Sequence, residues 1–378
     1  MNNPTSKNLH SVYFQNLDAC RAIASLAVFL VHFSNEIIGL FPSIKEETTF
    51  KAYYLFAGKG ELGVNFFFVL SGFLITFLIY NERKNYGYFH LGKFLIRRTL
   101  RIWPLYLLIG LIGFGLFPLI FSDYTTNHSA LNYFLFLANF DEIWNGLNDP
   151  INFLTSPWSV AVEEQFYLFW GIALYLLLKI KSFKLEYLLV ILYIISFYYR
   201  WKYWNEPRTN YYHTLTACQD ILMGSFIGVS VFRGKKWVQE IQALPKMVNI
   251  ILYIIGFALC IVKNKLFAGE LIIVERFMLS LFFAYVILDQ IGGKNSLFKL
   301  GKVKVLNYLG KISYGLYMYH LVIMYLILRY IDFQPIGIAG TFPLFFTLSL
   351  LLTVALSTVS YRYFESKFLS LKPKHTRK

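Results

Sequence analysis

Glu163 and Glu164 stand side by side in TSPWSVAVEEQFYLFW, a stretch otherwise apolar enough for a membrane interior. In RAIASLAVFLVH an imidazole, His32, and a guanidinium, Arg21, close the two ends of an equally apolar run. Ionisable groups in lipid are expensive and almost always face a bundle interior or a watery cavity. A neutral imidazole, with an ordinary pKa of about 6.5, suits a general base near pH 7. A carboxylate beside it can orient a substrate or stabilise the imidazolium. The third cluster, FLIRRTLRIWPLYL, packs Arg97, Arg98 and Arg101 at a helix mouth. Guanidinium forks bind phosphate bidentately. Topology alone accounts for part of this cluster, but Lys would serve topology equally well, so phosphate binding is the preferred reading.

These groups need helices to bring them together. At about 100° per residue, the eleven positions from Arg21 to His32 come within about 20° of whole turns, roughly 16 Å apart along the axis. Asp18 lies within about 40° of the same line, and Glu36 follows one turn beyond His32. The first span thus carries one polar stripe, with Asp18 and Arg21 also able to pair as a local i,i+3 bridge. Ser156 is the expected N-cap of a helix starting at Pro157. Glu163 and Glu164 then lie about 9–10 Å below the outer end of their span, matching the depth of His32. Ser159, Glu163 and Tyr167 share a face at i±4 spacing, while which of the two acids faces inward stays open. In GVNFFFVLSGFLITF, Gly63, Ser71 and Gly72 allow close helix approach. His320, early in the ninth span, reads more simply as a satisfied interior histidine and is kept as secondary. His90 reads as solvated loop. His128 and His213 have no acidic or cysteine neighbours at ligand spacing, so no metal is expected. Glu275 and Arg276 could pair with each other.

The chain is 57% apolar and 15% charged, with a mean hydropathy of +0.50. It reads as an all-α integral membrane protein with about ten spans, near 17–39, 61–80, 100–121, 157–179, 185–204, 212–232, 247–263, 270–290, 309–331 and 341–362. Lys and Arg concentrate on one side of these spans, six in 83–101 and six in 362–378, against none in 122–156. The positive-inside rule therefore puts both termini in the cytoplasm. The loop 122–156 holds Asp123, Asp141, Glu142 and Asp149, and its aromatic middle LNYFLFLANF is expected at the interface or packed on the bundle. The net charge of +15 sits in loops rather than in a soluble module, which excludes nucleic acid as a partner. Three scattered cysteines suggest neither disulfides nor a thiolate site. The polar opening does not resemble a cleavable signal peptide.

Taken in order, LDACRAIASLAVFLVHF, GVNFFFVLSGFLI, RRTLRIWPLYL, WSVAVEEQFYLFW, LGKISYGLYMYHLVI and SYRYFE resemble the motifs of the acyltransferase 3 family of membrane-bound O-acyltransferases. The chain departs from the family pattern at Ala19, Cys20 and Asn65, the last commonly Asp. The resemblance implies one domain over 1–378 and residence in the inner cell membrane among its lipids; the family often carries an appended soluble domain, and none is expected here, where a basic tail runs from about 366. It implies transfer of an acyl group, commonly acetyl from acetyl-CoA, to a hydroxyl of a carbohydrate or lipid-linked glycan, without a metal. By the same resemblance His32 is the catalytic residue, Arg21 a partner in the donor track, Arg98 and Arg101 contacts to the CoA phosphates alongside Arg97, and Glu163 or Glu164 a site acid. The competing reading is a secondary transporter or flippase using the polar stripe as its path, although no paired repeats of the kind transporters show are visible.

Overall fold

A computed structural model describes residues 14–145, 152–180 and 184–373; Asp149, the polar opening and the end of the basic tail lie outside these. The described residues contain no strand. Ten helices of 18 residues or more carry the fold: α1 Gln15–Leu40, α2 Leu62–Tyr86, α3 Leu91–Leu111, α4 Trp158–Leu177, α5 Leu185–Lys202, α6 Thr214–Phe232, α7 Lys246–Leu266, α8 Ile272–Gly292, α9 Ser313–Tyr330 and α10 Gly337–Ser360. Each corresponds to one predicted span. Eight helical segments are long and apolar enough to cross a membrane, and a ninth is α9 with its preceding helix Lys304–Lys311, bent by 73°. The remaining helix, α5, carries Glu186, Arg200 and Lys202 in only 18 residues. The expected count of ten thus becomes eight or nine by length and composition among the described residues.

The helices alternate in direction. At the near end, where α1 begins, Asn16 donates to the carbonyl of Gln290 at the end of α8, and Tyr308 reaches Thr358 at the end of α10. At the far end Gln334 donates to Leu40 O and Arg329 pairs with Asp123. The three arginines enter α3 a turn and a half after its start, because α3 begins at Leu91, earlier than expected. His90, exposed in the loop as expected, is its N-cap, the ring Nδ1 accepting from Lys93 N at 3.4 Å. Ser156 does not cap α4. Thr155, Ser156 and Pro157 form a turn, with Trp158 N donating to Thr155 O at 3.0 Å, so the helix starts at Trp158 without a side-chain cap.

Close backbone contact sets the centre of the bundle. A Cβ on Gly72 of α2 would lie 1.9 Å from Ile221 O of α6, and one on Gly224 would lie 1.9 Å from Val69 O. Gly63 faces Ala24 O of α1 in the same way. With no hydrophobic drive between helices in lipid, such small-residue seams are how backbones come close enough to pack. The aromatic loop folds as two short helices, Ala130–Phe134 and Ala138–Trp144, and packs on the bundle. Tyr106 OH donates to Tyr133 O at 2.9 Å, Tyr133 OH donates to Tyr106 O at 3.0 Å, and their rings stack at 4.5 Å.

Two expectations about pairing change here. His128 does meet acids: its Nδ1 is 2.8 Å from Asp141 and its Nε2 is 3.4 Å from Glu142, a meeting made by the turn between the two short helices. Among the described residues, no group of three potential ligands is arranged for a metal ion. Glu275 and Arg276 diverge, the former to Lys263 at 3.0 Å and the latter to Asp220 at 2.8 Å, since adjacent residues on a helix point about 100° apart.

Burial pushes the Asp141 carboxyl up, but hydrogen bonds from His128, Asn132, Asn145 and Ser129 outweigh it and hold the group below the usual carboxylate range. A lowered folded pKa stabilises above the unfolded value and is lost as pH falls through the folded one. Asp141→Asn is expected to cost about 1–3 kcal/mol at neutral pH, and denaturation in detergent should show the gap narrowing below about pH 4. For the helix seam, Gly224→Ala should cost about 1–3 kcal/mol through a forced shift of backbone, while Gly39→Ala, with open space around it, should leave thermal stability near wild type.

Candidate active site

The predicted face of α4 lines a cavity of about 110 Å³ together with α1, α2, α3 and α9. At its near end stand Arg21, Arg98 and Arg101; deeper in are Ser71, Ser159, Glu163 and Tyr167, with Tyr317 on the far wall. Glu163 is the inward acid. Its Oε1 accepts from Ser71 Oγ at 2.6 Å and its Oε2 from Tyr167 OH at 2.8 Å. Glu164 turns to α3, where Trp103 Nε1 donates to Oε2 at 2.9 Å. The choice left open by the sequence is made by Trp103, 61 residues away.

The arginines divide. Arg21 donates to Asp18 at 2.6 Å, the local pair that i,i+3 spacing allowed, yet it also lines the cavity. The guanidinium of Arg98 lies 5.3 Å from the Tyr167 ring centroid, within cation–π range. Arg101 is exposed at the mouth. Arg97 points elsewhere: it bonds Glu82 Oε2 at 2.7 Å, and Glu82 Oε1 accepts from His90 N at 3.0 Å. Arg97 therefore braces the α2–α3 turn and does not line the cavity, as its neighbour Arg98 takes the inward face.

His32 lies outside the arginine-lined wall, one aromatic layer beyond it. Its ring centroid is 5.2 Å from that of His320, which is 6.0 Å from Tyr317. Tyr317 OH donates to Ser156 O at 2.8 Å. Its one proton is spent there, so Ser159 Oγ, at 2.7 Å, is the donor to the phenol oxygen. His320 is interior as expected, 1% exposed; the carbonyls of Leu316 and Tyr317 one turn back are its nearest acceptors, without a well-aligned hydrogen bond. Sequence reasoning missed Tyr317 and Trp103. Tyr317 stood in plain view three residues before His320, one helical turn away and on the same face.

A helical membrane bundle in which guanidinium groups and a hydrogen-bonded carboxylate line one cavity defines a polytopic membrane protein with a polar cavity among its spans. The chain belongs to the acyltransferase 3 family, whose acyltransferase domain model matches residues 14–362. It is 28% identical over 332 residues to the peptidoglycan O-acetyltransferase OatA of Listeria monocytogenes, an alignment covering 82% of this chain and 49% of that protein. It is 26% identical over 377 residues to the O-acetyltransferase OatA of Staphylococcus aureus, covering 94% and 57% respectively. The chain spans about half the length of the curated relatives it matches. No solved structure matches it.

Glu163→Gln replaces two accepting oxygens by one, so the Ser71 and Tyr167 hydroxyls cannot both be satisfied as now. Under the acyl-transfer reading proposed below, the rate should fall by about tenfold or more, the loss of one hydrogen bond to a charged group. Glu164→Gln keeps an oxygen for Trp103 and should retain most of the rate; initial rates on purified variants of equal thermal stability decide between them.

Proposed function

We propose that this protein is a membrane O-acyltransferase that moves an acyl group, acetyl in the first instance, from acyl-CoA to a hydroxyl of a carbohydrate acceptor. The observation that carries the reading is a single cavity with Arg21, Arg98 and Arg101 at one end and Glu163 and Tyr317 at the other, the second of these touching the His320–His32 pair. Phosphate groups of the donor would be held by Arg98 and Arg101 at the mouth, where guanidinium is the preferred partner. At about 110 Å³, the passage is well below the roughly 300–1,000 Å³ of a pocket that encloses a whole drug-sized ligand. It suits a thin chain such as the pantetheine arm, with the nucleotide left outside.

With the near end cytoplasmic, as the loop charges support, donor and acceptor meet from opposite faces of the inner cell membrane. The peptidoglycan named for the Listeria relative supports a glycan, free or lipid-linked, as acceptor. In the reaction the acceptor oxygen attacks the thioester carbonyl. The new C–O bond forms as the C–S bond breaks, the hydroxyl proton passes to His32, and the imidazolium returns it to the CoA thiolate. Glu163, fixed by Ser71 and Tyr167, orients the acceptor in the cavity. Proton transfer by a positioned base is worth about 10²–10⁴-fold.

His32→Ala should therefore lose acyl transfer by about 10²-fold or more while still reaching the membrane, measured as CoA release from acetyl-CoA; a well-folded variant with full activity overturns the assignment. Arg98→Ala with Arg101→Ala should raise the donor KM about tenfold or more by removing charge-assisted hydrogen bonds. An unmoved donor KM would leave these arginines as topology anchors.

A further inference from the structure

A second cavity, about 380 Å³, opens at the far end of the bundle between α2, α5, α7 and α8. Its walls gather three cations, Arg200, Lys263 and Arg276, with the acids Glu61 and Glu275 and Asp220 directly behind Arg276. Lys263 bridges Glu61 at 2.9 Å and Glu275 at 3.0 Å. Asp220, 0% exposed, also accepts from Asn65 at 2.8 Å. Arg200 is 2% exposed and is met only by carbonyls, Ile273 O at 3.0 Å and Ile272 O. Burying this many charges is costly. These groups pair with one another, yet they line open space where a packed core would be the cheaper place for them.

Its electrostatics differ from those of the first cavity. There three guanidiniums face one carboxylate, with Asp18 beside Arg21, and the excess is positive. Here three cations balance three acids, and the cavity favours neither an anion nor a cation. What it offers is a dense array of planar donors and acceptors: guanidinium, carboxylate and the amides of Asn65, Asn210 and Asn264. The aromatic face of Tyr211 joins them. Vicinal hydroxyls, each both donor and acceptor, are the chemistry that matches such an array, and an aromatic ring suits the apolar face of a sugar. The volume lies at the lower end of the ligand-pocket range of about 300–1,000 Å³, enough for one or two sugar units. The cavity is also placed for reaction. Tyr211 packs on Trp158 at 5.0 Å, Trp158 on Phe68 at 5.9 Å, and Phe68 lines the first cavity.

We propose that this far-end cavity is the acceptor subsite, binding a neutral sugar unit of the glycan; the inference rests on the acyl-transfer reading above. The test uses the full chain purified in detergent and a neutral β-1,4-linked N-acetylglucosamine tetrasaccharide as probe, with oligogalacturonate as an anionic comparison. Binding is read as thermal stabilisation, which needs no turnover. Asn264 is exposed, so Asn264→Trp obstructs the cavity without opening the core, and Asn264→Ser is the conservative counterpart. The neutral probe should raise the wild-type Tm by about 2 °C or more at saturation; Asn264→Trp should abolish that shift and Asn264→Ser retain it. No shift from the neutral probe, a shift from oligogalacturonate in its place, or an equal shift in Asn264→Trp each overturns the proposal. Wild-type protein that binds the tetrasaccharide yet releases no CoA from acetyl-CoA would sink the transfer reading and leave the sugar site standing.

Discussion

A carboxylate inside a membrane bundle persists only while donors surround it, and Glu163 is where this constraint shapes the molecule. Leaving such a charge unpaired costs several kcal/mol, whereas hydrogen bonds to a charged group return about 1.5–3 kcal/mol each. The two donors come from different places: Tyr167 from one turn along α4 and Ser71 from α2. The Ser71 bond therefore fixes the register of α2 against α4. Gly72, the next residue, turns about 100° away and lets α2 meet the backbone of α6. One dipeptide thus serves the polar site with one residue and a close helix seam with the other. Site and scaffold are not separable here.

Much of this was legible in the chain. Apolar runs located all ten long helices, because a span must satisfy its own backbone and announces itself by length. The i±4 rule put Ser159, Glu163 and Tyr167 on one face, and all three line the cavity. What could not be read were partners distant in sequence. Glu82 for Arg97 and Trp103 for Glu164 separate cavity-lining from structural members of each cluster, and neither separation is periodic. Ser156 failed as a cap because its carbonyl is held by Tyr317 and the Pro157 turn starts the helix later. His128 looked isolated because its acids lie 13 and 14 residues on, a distance that only the fold closes.

Asn65 shows how a departure from the family pattern becomes intelligible in context. The commoner residue there, Asp, would set a second carboxylate against Asp220, and two acids at that range must share a proton or recruit another cation. The Asn amide instead donates to Asp220, leaving that acid free to compensate Arg276. The far-end charge count is balanced for that reason.

The two charge patterns, one with excess guanidinium and one neutral, lie at opposite ends of the same bundle and share the aromatic wall Tyr211–Trp158–Phe68. A single pocket could hardly serve both an anionic donor and an uncharged polyol, since the field that attracts one leaves costly unpaired cations around the other. On the proposed readings, dividing donor and acceptor between two cavities removes that conflict. On those readings the aromatic wall between the cavities, whose Phe68 lines the first and Tyr211 the second, is where a thioester and a hydroxyl would meet with little water.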